Sequence, residues 1–170
     1  MNTNITEAQV KEMFEMQDNM NSKVYPDWKS RGFDWHLAAQ MELMEGVEHY
    51  GYKWWKKQVP DLGQVQLEVV DAWHFWMSAV MVSPIYSPLS EEHYADMLNI
   101  AQDFENLKLA YIGLARSYQM DMVEDFYEWY WSELLRSVEL TPYDLYIMYI
   151  QKNVLNHFRQ DNGYKTGEYI

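Results

Sequence analysis

Leu67-Glu68-Val69-Val70-Asp71-Ala72-Trp73-His74-Phe75-Trp76 is the stretch on which the reading of this chain turns. It is apolar almost all round, holds two acids three residues apart and contains neither glycine nor proline. A helix that is apolar on every side is a buried one, and a buried carboxylate needs a partner. The pattern extends to predict a helix over 64–82, between a loop with Pro60 and Gly63 and the proline at 84.

Outward from that segment the chain keeps reading as helix. Thr6 and Gln9 have capping-box spacing, and the helix they open ends before Tyr25-Pro26. Asp34 suits the N-cap of a second helix, Trp35 to about Tyr50, whose Leu37, Met41, Met44 and Val47 are spaced as an apolar stripe. Gly51 stops it. Ser90 suits the cap of further helices over 91–118 and 120–138, with a break expected near Gly113 or Tyr118. Thr141-Pro142 opens a last helix running to about Gln160, with proline where a first turn accepts it. Residues 161–170, with Gly163 and Gly167, read as an extended or coiled, mobile tail. Only 7 glycines and 5 prolines in 170 residues argue against an all-β fold, which needs many turns. The expectation is a single all-α domain over 1–170, a bundle of about five or six helices.

Composition narrows the class further. Apolar residues are 48% and aromatics 16%, which excludes a disordered chain. A formal net charge of −13 disfavours duplex nucleic acid as a partner. There is no cysteine, so disulfides, zinc–thiolate sites, iron–sulfur clusters and thiol nucleophiles are excluded. The opening MNTNITEAQVKE lacks a secretory signal pattern, and the longest apolar run, around 72–82, is interrupted by His74 and Ser78. A cytoplasmic protein with no membrane partner is expected.

Several constellations carry chemistry. Glu42 and Glu45 on the second helix, and Glu68 and Asp71 on the third, are i,i+3 pairs, each on one helix face. Four carboxylates in one space require cations, and hard oxygen ligands suit Mg²⁺, with Mn²⁺ as a substitute. The plainer alternative is a solvated acidic face. Lys152, Asn156 and Arg159 share a face of the last helix, followed by Tyr164 and Lys165. They could grip phosphate oxygens, or simply complement the helix dipole. In Lys53-Trp54-Trp55-Lys56-Lys57 a tryptophan could wall a nucleotide pocket while lysines reach phosphates; the alternative is core tryptophans between solvated lysines. The amides of Gln17 and Asn21 could read a base edge, or be ordinary surface amides. His74 reads as a core histidine. The aromatics of 127–131 read as core or subunit interface, with Trp129 and Trp131 in a surface expected over 120–138.

These pieces together resemble the all-α dimeric dUTPases, within the wider all-α nucleoside triphosphate pyrophosphatase superfamily that includes MazG-like proteins and phage dCTPases. The resemblance rests on Gln17-Asp18-Asn19-Met20-Asn21, on Glu42 and Glu45, on Tyr52-Lys53-Trp54-Trp55-Lys56 and on Glu68-Val69-Val70-Asp71-Ala72-Trp73-His74-Phe75. The string from Lys152 through Asn156, Arg159 and Gly163 to Tyr164 and Lys165 is the most specific piece. The compact length looks like phage-borne members.

The resemblance implies a four-helix core forming the site and Mg²⁺ on Glu42, Glu45, Glu68 and Asp71. It implies phosphate contacts from Lys152, Arg159, Tyr164 and Lys165 with Asn156 supporting, uracil contacts from Gln17 and Asn21, and a nucleotide site lined by Trp55, Lys53 and His74. Lys56 joins the phosphate-binding set as a lysine of the basic aromatic patch. The expected reaction is hydrolysis of dUTP to dUMP and pyrophosphate by a metal-activated water, in a homodimer, with Glu45 as base. A dCTP or dual dCTP/dUTP enzyme is the alternative, and a non-enzymatic helical dimerisation protein the remote one.

Overall fold

The computed structural model describes residues 1–83, 90–101, 103–118 and 124–163, with the side chains of the sixth helix described from residue 129 onward. Among them are seven α-helices and no strand. α1 spans Glu7–Val24, and its capping box forms in both directions between Thr6 and Gln9. A short 3-10 turn at Trp28–Ser30 leads to α2, Trp35–His49, where the Asp34 carboxylate accepts from the Leu37 amide. α3, Leu62–Val82, starts on an Asp61 cap. α4 is Glu91–Leu98, α5 Leu107–Ser117 and α6 Glu124–Ser137. α7, Pro142–Asp161, opens on a reciprocal Thr141–Asp144 cap with proline in its first turn.

The all-α expectation holds, but the helix count exceeds the expected five or six. Of the two expected breaks, Gly113 stays inside α5, while α5 ends at Ser117 with Tyr118 as its cap; a further break separates α4, capped by Asn99, from α5, capped by Asn106. Two asparagines cause it. The Asn99 carboxamide pairs with the Ile5 backbone in both directions, its Oδ1 accepting from Ile5 N and its Nδ2 donating to Ile5 O, each at 2.8 Å. Asn106 then caps α5 by accepting from Leu109 N at 3.0 Å.

α3 is the buried axis, as its composition demands. Val65, Val69, Val70, Ala72, Trp73 and Met77 are fully buried, each large side chain contributing about 1.5–3 kcal/mol of transfer free energy. Trp73 stacks on Trp76 at 4.9 Å and meets the edge of Trp131 at 5.0 Å. Trp131 is thus core and unavailable as the subunit surface expected of it, whereas Trp129 is 44% exposed.

α2 packs along α3, but not by the stripe its spacing suggests. Leu37, Met41 and Met44 are exposed; the inward face is Ala39, Leu43, Gly46 and Val47. Small residues win that face because of a close approach. The Tyr111 hydroxyl donates to the Leu43 carbonyl at 2.8 Å, and a Cβ on Gly46 would lie 2.0 Å from that oxygen. α1 and α7 pack together beside α3, with the Tyr149 hydroxyl 3.0 Å from the Met13 carbonyl. Among the described residues no helix is long and apolar enough to cross a membrane.

Candidate active site

α1, α2, α3 and α7 enclose a cavity of about 300 Å³. Its acidic end comes from two helices. Glu42 of α2 and Glu68 and Asp71 of α3 each offer one oxygen, all within 4.8 Å of one another. Glu68 is buried and its Oε1 accepts from Gln64 Nε2 at 2.7 Å, with His49 Nε2 at 3.5 Å. Asp71 Oδ2 accepts from Lys152 Nζ at 2.7 Å. The Glu42 carboxyl is pushed up to about 8, first by burial, then by its hydrogen bond with Glu68 and by the charges of Asp71, Glu45 and Glu68. Acids crowded until one keeps its proton near neutrality form a donor set suited to a hard divalent cation, so these residues fit Mg²⁺ or Mn²⁺. Glu45 stands apart: it is exposed and outside the group of three, though close enough for its charge to raise Glu42.

The basic face is on α7. Lys152, Asn156 and Arg159 all line the cavity, joined by Gln160. Gln17 and Asn21 of α1 line it too, and they are buried rather than ordinary surface amides. His74 sits one turn beyond Asp71, donating from Nδ1 to the Val70 carbonyl at 2.7 Å. That bond leaves Nε2 as an acceptor, and this atom is buried with no partner. Burial holds the ring neutral, its pKa lowered to about 4.

The cavity also contains residues that the sequence reading did not single out. Tyr25, Trp28, Trp35 and Phe75 line it, with Trp35 and Phe75 tilted at 30° and 6.1 Å apart. The signal for Phe75 was present: Asp71, His74 and Phe75 are i, i+3 and i+4, one helix face. No such spacing marks Trp28 or Trp35, which arrive through the turn between α1 and α2. By contrast, Lys53, Trp55 and Lys56 do not line the cavity. Lys53 pairs with Glu48, and Trp54 and Trp55 are exposed rather than core. Tyr164 and Lys165 lie outside the described residues.

An all-helical chain that sets a group of three acids beside a cavity lined by a lysine, an arginine and four amides has the makings of a hydrolase for small phosphorylated substrates. A family model described as dUTPase matches residues 9–164, nearly the whole length, and the chain belongs to that family. Its activity is that of a dUTP diphosphatase, which cleaves dUTP to dUMP and pyrophosphate. No curated protein matches the chain.

Proposed function

We propose that residues 1–170 act as one domain that hydrolyses dUTP with Mg²⁺, or Mn²⁺ in its place, held by Glu42, Glu68 and Asp71. The observation that carries this is the convergence of those three oxygens within 4.8 Å beside a cavity that Lys152, Arg159, four side-chain amides and an aromatic wall also line. When bound, the cation supplies neutralisation of the triphosphate and acidification of water.

The remaining chemistry belongs to the chain. Lys152, hydrogen-bonded to Asp71 on the cavity lining, is placed to donate from its ammonium to a phosphate oxygen. Arg159, one face of α7 with Lys152 and Asn156, offers bidentate donors to the leaving pyrophosphate. Glu45 is exposed beside the group of three, so it is the acid free to take a proton from the attacking water. Gln17 and Asn21 meet the uracil edge, with Trp35 and Phe75 beside the ring. His74 Nε2, neutral and unpartnered, suits a sugar hydroxyl as donor. Lys53, Trp55, Tyr164 and Lys165 add nucleotide contacts when substrate is bound, a role the family resemblance supports, and Lys56 joins them as a lysine of the same basic aromatic patch.

The protein is further proposed to be a homodimer, with Leu37, Met41 and Met44 forming part of the surface between copies. These three large apolar side chains fall on one face of α2 and are each more than 40% exposed. Pyrophosphate release measured with each deoxynucleoside triphosphate, with Mg²⁺ and with excess chelator, tests the reaction. Turnover of dUTP that needs the metal is the expected result; full activity in chelator would overturn the metal assignment.

A further inference from the structure

A chain of buried hydrogen bonds runs behind the cavity from α7 through α1 to α3. Ser78 is fully buried and donates its hydroxyl to the His74 carbonyl at 3.1 Å. Having spent its proton, Ser78 Oγ is left as an acceptor, and Asn21 Nδ2 donates to it at 2.8 Å. Asn21 therefore turns Oδ1 toward Gln17, whose Nε2 donates to it at 3.0 Å and lies 3.4 Å from Ser78 Oγ. Gln17 in turn presents Oε1 to the Tyr149 hydroxyl at 3.0 Å, where it shares that one proton with the Met13 carbonyl at the same distance. Asn153 Nδ2 steadies Tyr149 from the far side at 3.2 Å.

The chain has a direction. Turning the Asn21 amide over by itself would set its NH₂ against that of Gln17, and its oxygen would be satisfied only if the Ser78 hydroxyl left the His74 carbonyl. One hydrogen bond would become a repulsion and another would be given up. Only a concerted reversal of several groups restores the pairing.

Direction matters because a carboxamide reads a pyrimidine edge by offering one N–H beside one oxygen. Uracil presents the O4 acceptor beside the N3–H donor. Cytosine presents the 4-amino donor beside the N3 acceptor. The two edges call for opposite turns of the same amide. Asn21, at the cavity wall, still has one N–H and one Oδ1 lone pair to give after its bonds to Ser78 and Gln17. We infer that the Tyr149–Gln17–Asn21–Ser78 chain sets the choice of uracil over cytosine, with Ser78 and Tyr149 as positioning residues that never touch the base. The inference rests on dUTP as substrate and on the amides meeting the base.

The test is kcat/KM for dUTP and for dCTP with the full chain in Mg²⁺, for wild type, Ser78→Ala, Ser78→Cys and Tyr149→Phe. Ser78→Ala removes the acceptor that holds the Asn21 NH₂, so the dCTP-to-dUTP ratio should rise about tenfold, equivalent to about 1.4 kcal/mol. Ser78→Cys, which keeps the size but bonds weakly, should fall between wild type and alanine. Tyr149→Phe frees one end of Gln17 while Asn21 still holds the other, so about a threefold rise is expected. A merely structural role would lower both substrates together. A ratio unchanged within about twofold in both Ser78→Ala and Tyr149→Phe overturns the inference while leaving the dUTP reading intact. A wild-type protein that turns over neither nucleotide overturns the reading beneath it.

Discussion

α2 and α3 carry the same device, a pair of acids three residues apart, and use it differently. On α3 both acids, Glu68 and Asp71, enter the cluster. On α2 Glu42 enters and Glu45 stays outside, exposed. The cause is how each helix is buried. α3 is enclosed on most sides, so its acids turn toward Glu42 and, at Asp71, toward Lys152. α2 buries a face of small residues, Ala39 and Gly46 with Leu43 and Val47, and turns large apolar side chains outward. Spacing places two groups on one face; neighbours decide whether that face looks into the site.

The largest expected effect sharpens this contrast. Glu68→Gln or Asp71→Asn should lower kcat by about 10³-fold or more and weaken Mg²⁺ binding, because each removes charge from the three-acid set. Glu45→Gln should lower kcat by about 10²-fold as loss of a base, yet leave metal affinity near wild type. Metal titration followed by calorimetry, beside steady-state rates, separates the two. If Glu45→Gln weakens metal binding as much as Glu68→Gln does, the α2 pair is not split as described.

Much of this was legible in sequence, for reasons that can be named. Helix starts carried local chemistry: Thr6–Gln9, Asp34 and Thr141-Pro142 mark caps that form as written. The α3 acids were legible because an apolar surround leaves a carboxylate few alternatives. The α2 face was not, because Leu37, Met41, Met44 and Val47 form a valid stripe in isolation. What overrules it is Tyr111, from a helix far along the chain, whose hydroxyl needs the space above Gly46. The aromatic wall was half legible: Phe75 shares a face with Asp71, whereas Trp28 and Trp35 depend on the path of a turn. The Lys53–Lys57 segment advertised nucleotide chemistry, yet it stands away from the cavity, since a loop's direction is set by tertiary contacts and not by its composition.

A pair of glycine substitutions breaks the comparison next, with opposite signs. Gly46→Ala on α2 drives a methyl into the Tyr111 hydroxyl and threatens its bond to Leu43. The expected cost is about 2–3 kcal/mol, or about 5–10 °C in Tm for a chain this long. Gly63→Ala in the first turn of α3 meets nothing closer than an Asp61 carboxylate oxygen at 3.6 Å, and should stabilise by about 0.4–1 kcal/mol. Differential scanning calorimetry reads both. Equal shifts in the two variants would mean that α2 is not pinned by Tyr111.

pH gives a smaller effect. With no cation bound, Glu42 titrates near 8 in the folded chain against an ordinary value of 4.5. Folded protein then binds more protons than unfolded protein between those values, so stability is lost as pH rises through the window. His74, lowered from 6.5 to about 4, acts with the opposite sign below 6.5. From pH 6.5 to 8 the Glu42 effect stands alone of the two, at on the order of 1 kcal/mol once screening of a half-exposed group is allowed for. Chelator-treated protein should therefore lose Tm over that range. Saturating Mg²⁺ should flatten the slope, because a cation holds Glu42 ionised throughout.

The smallest effect on the protomer tests the outward face of α2. Met41 is 54% exposed and sits between Leu37 and Met44, so Met41→Gln removes apolar surface from the middle of the stripe without opening a cavity. The protomer's own stability should change by less than about 0.5 kcal/mol, as for most surface substitutions. Val69, fully buried on α3, supplies the contrast: Val69→Ala should cost about 2 kcal/mol from lost burial and an unfilled space. What Met41→Gln should change is mass. If the stripe lies between two copies, light scattering at micromolar concentration should show the dimer of wild type giving way to monomer, with helical circular dichroism unaltered. An unchanged dimeric mass in Met41→Gln, and in a Leu37→Gln, Met44→Gln double variant, would move the subunit surface off α2 and leave its large apolar face without a partner of the same kind.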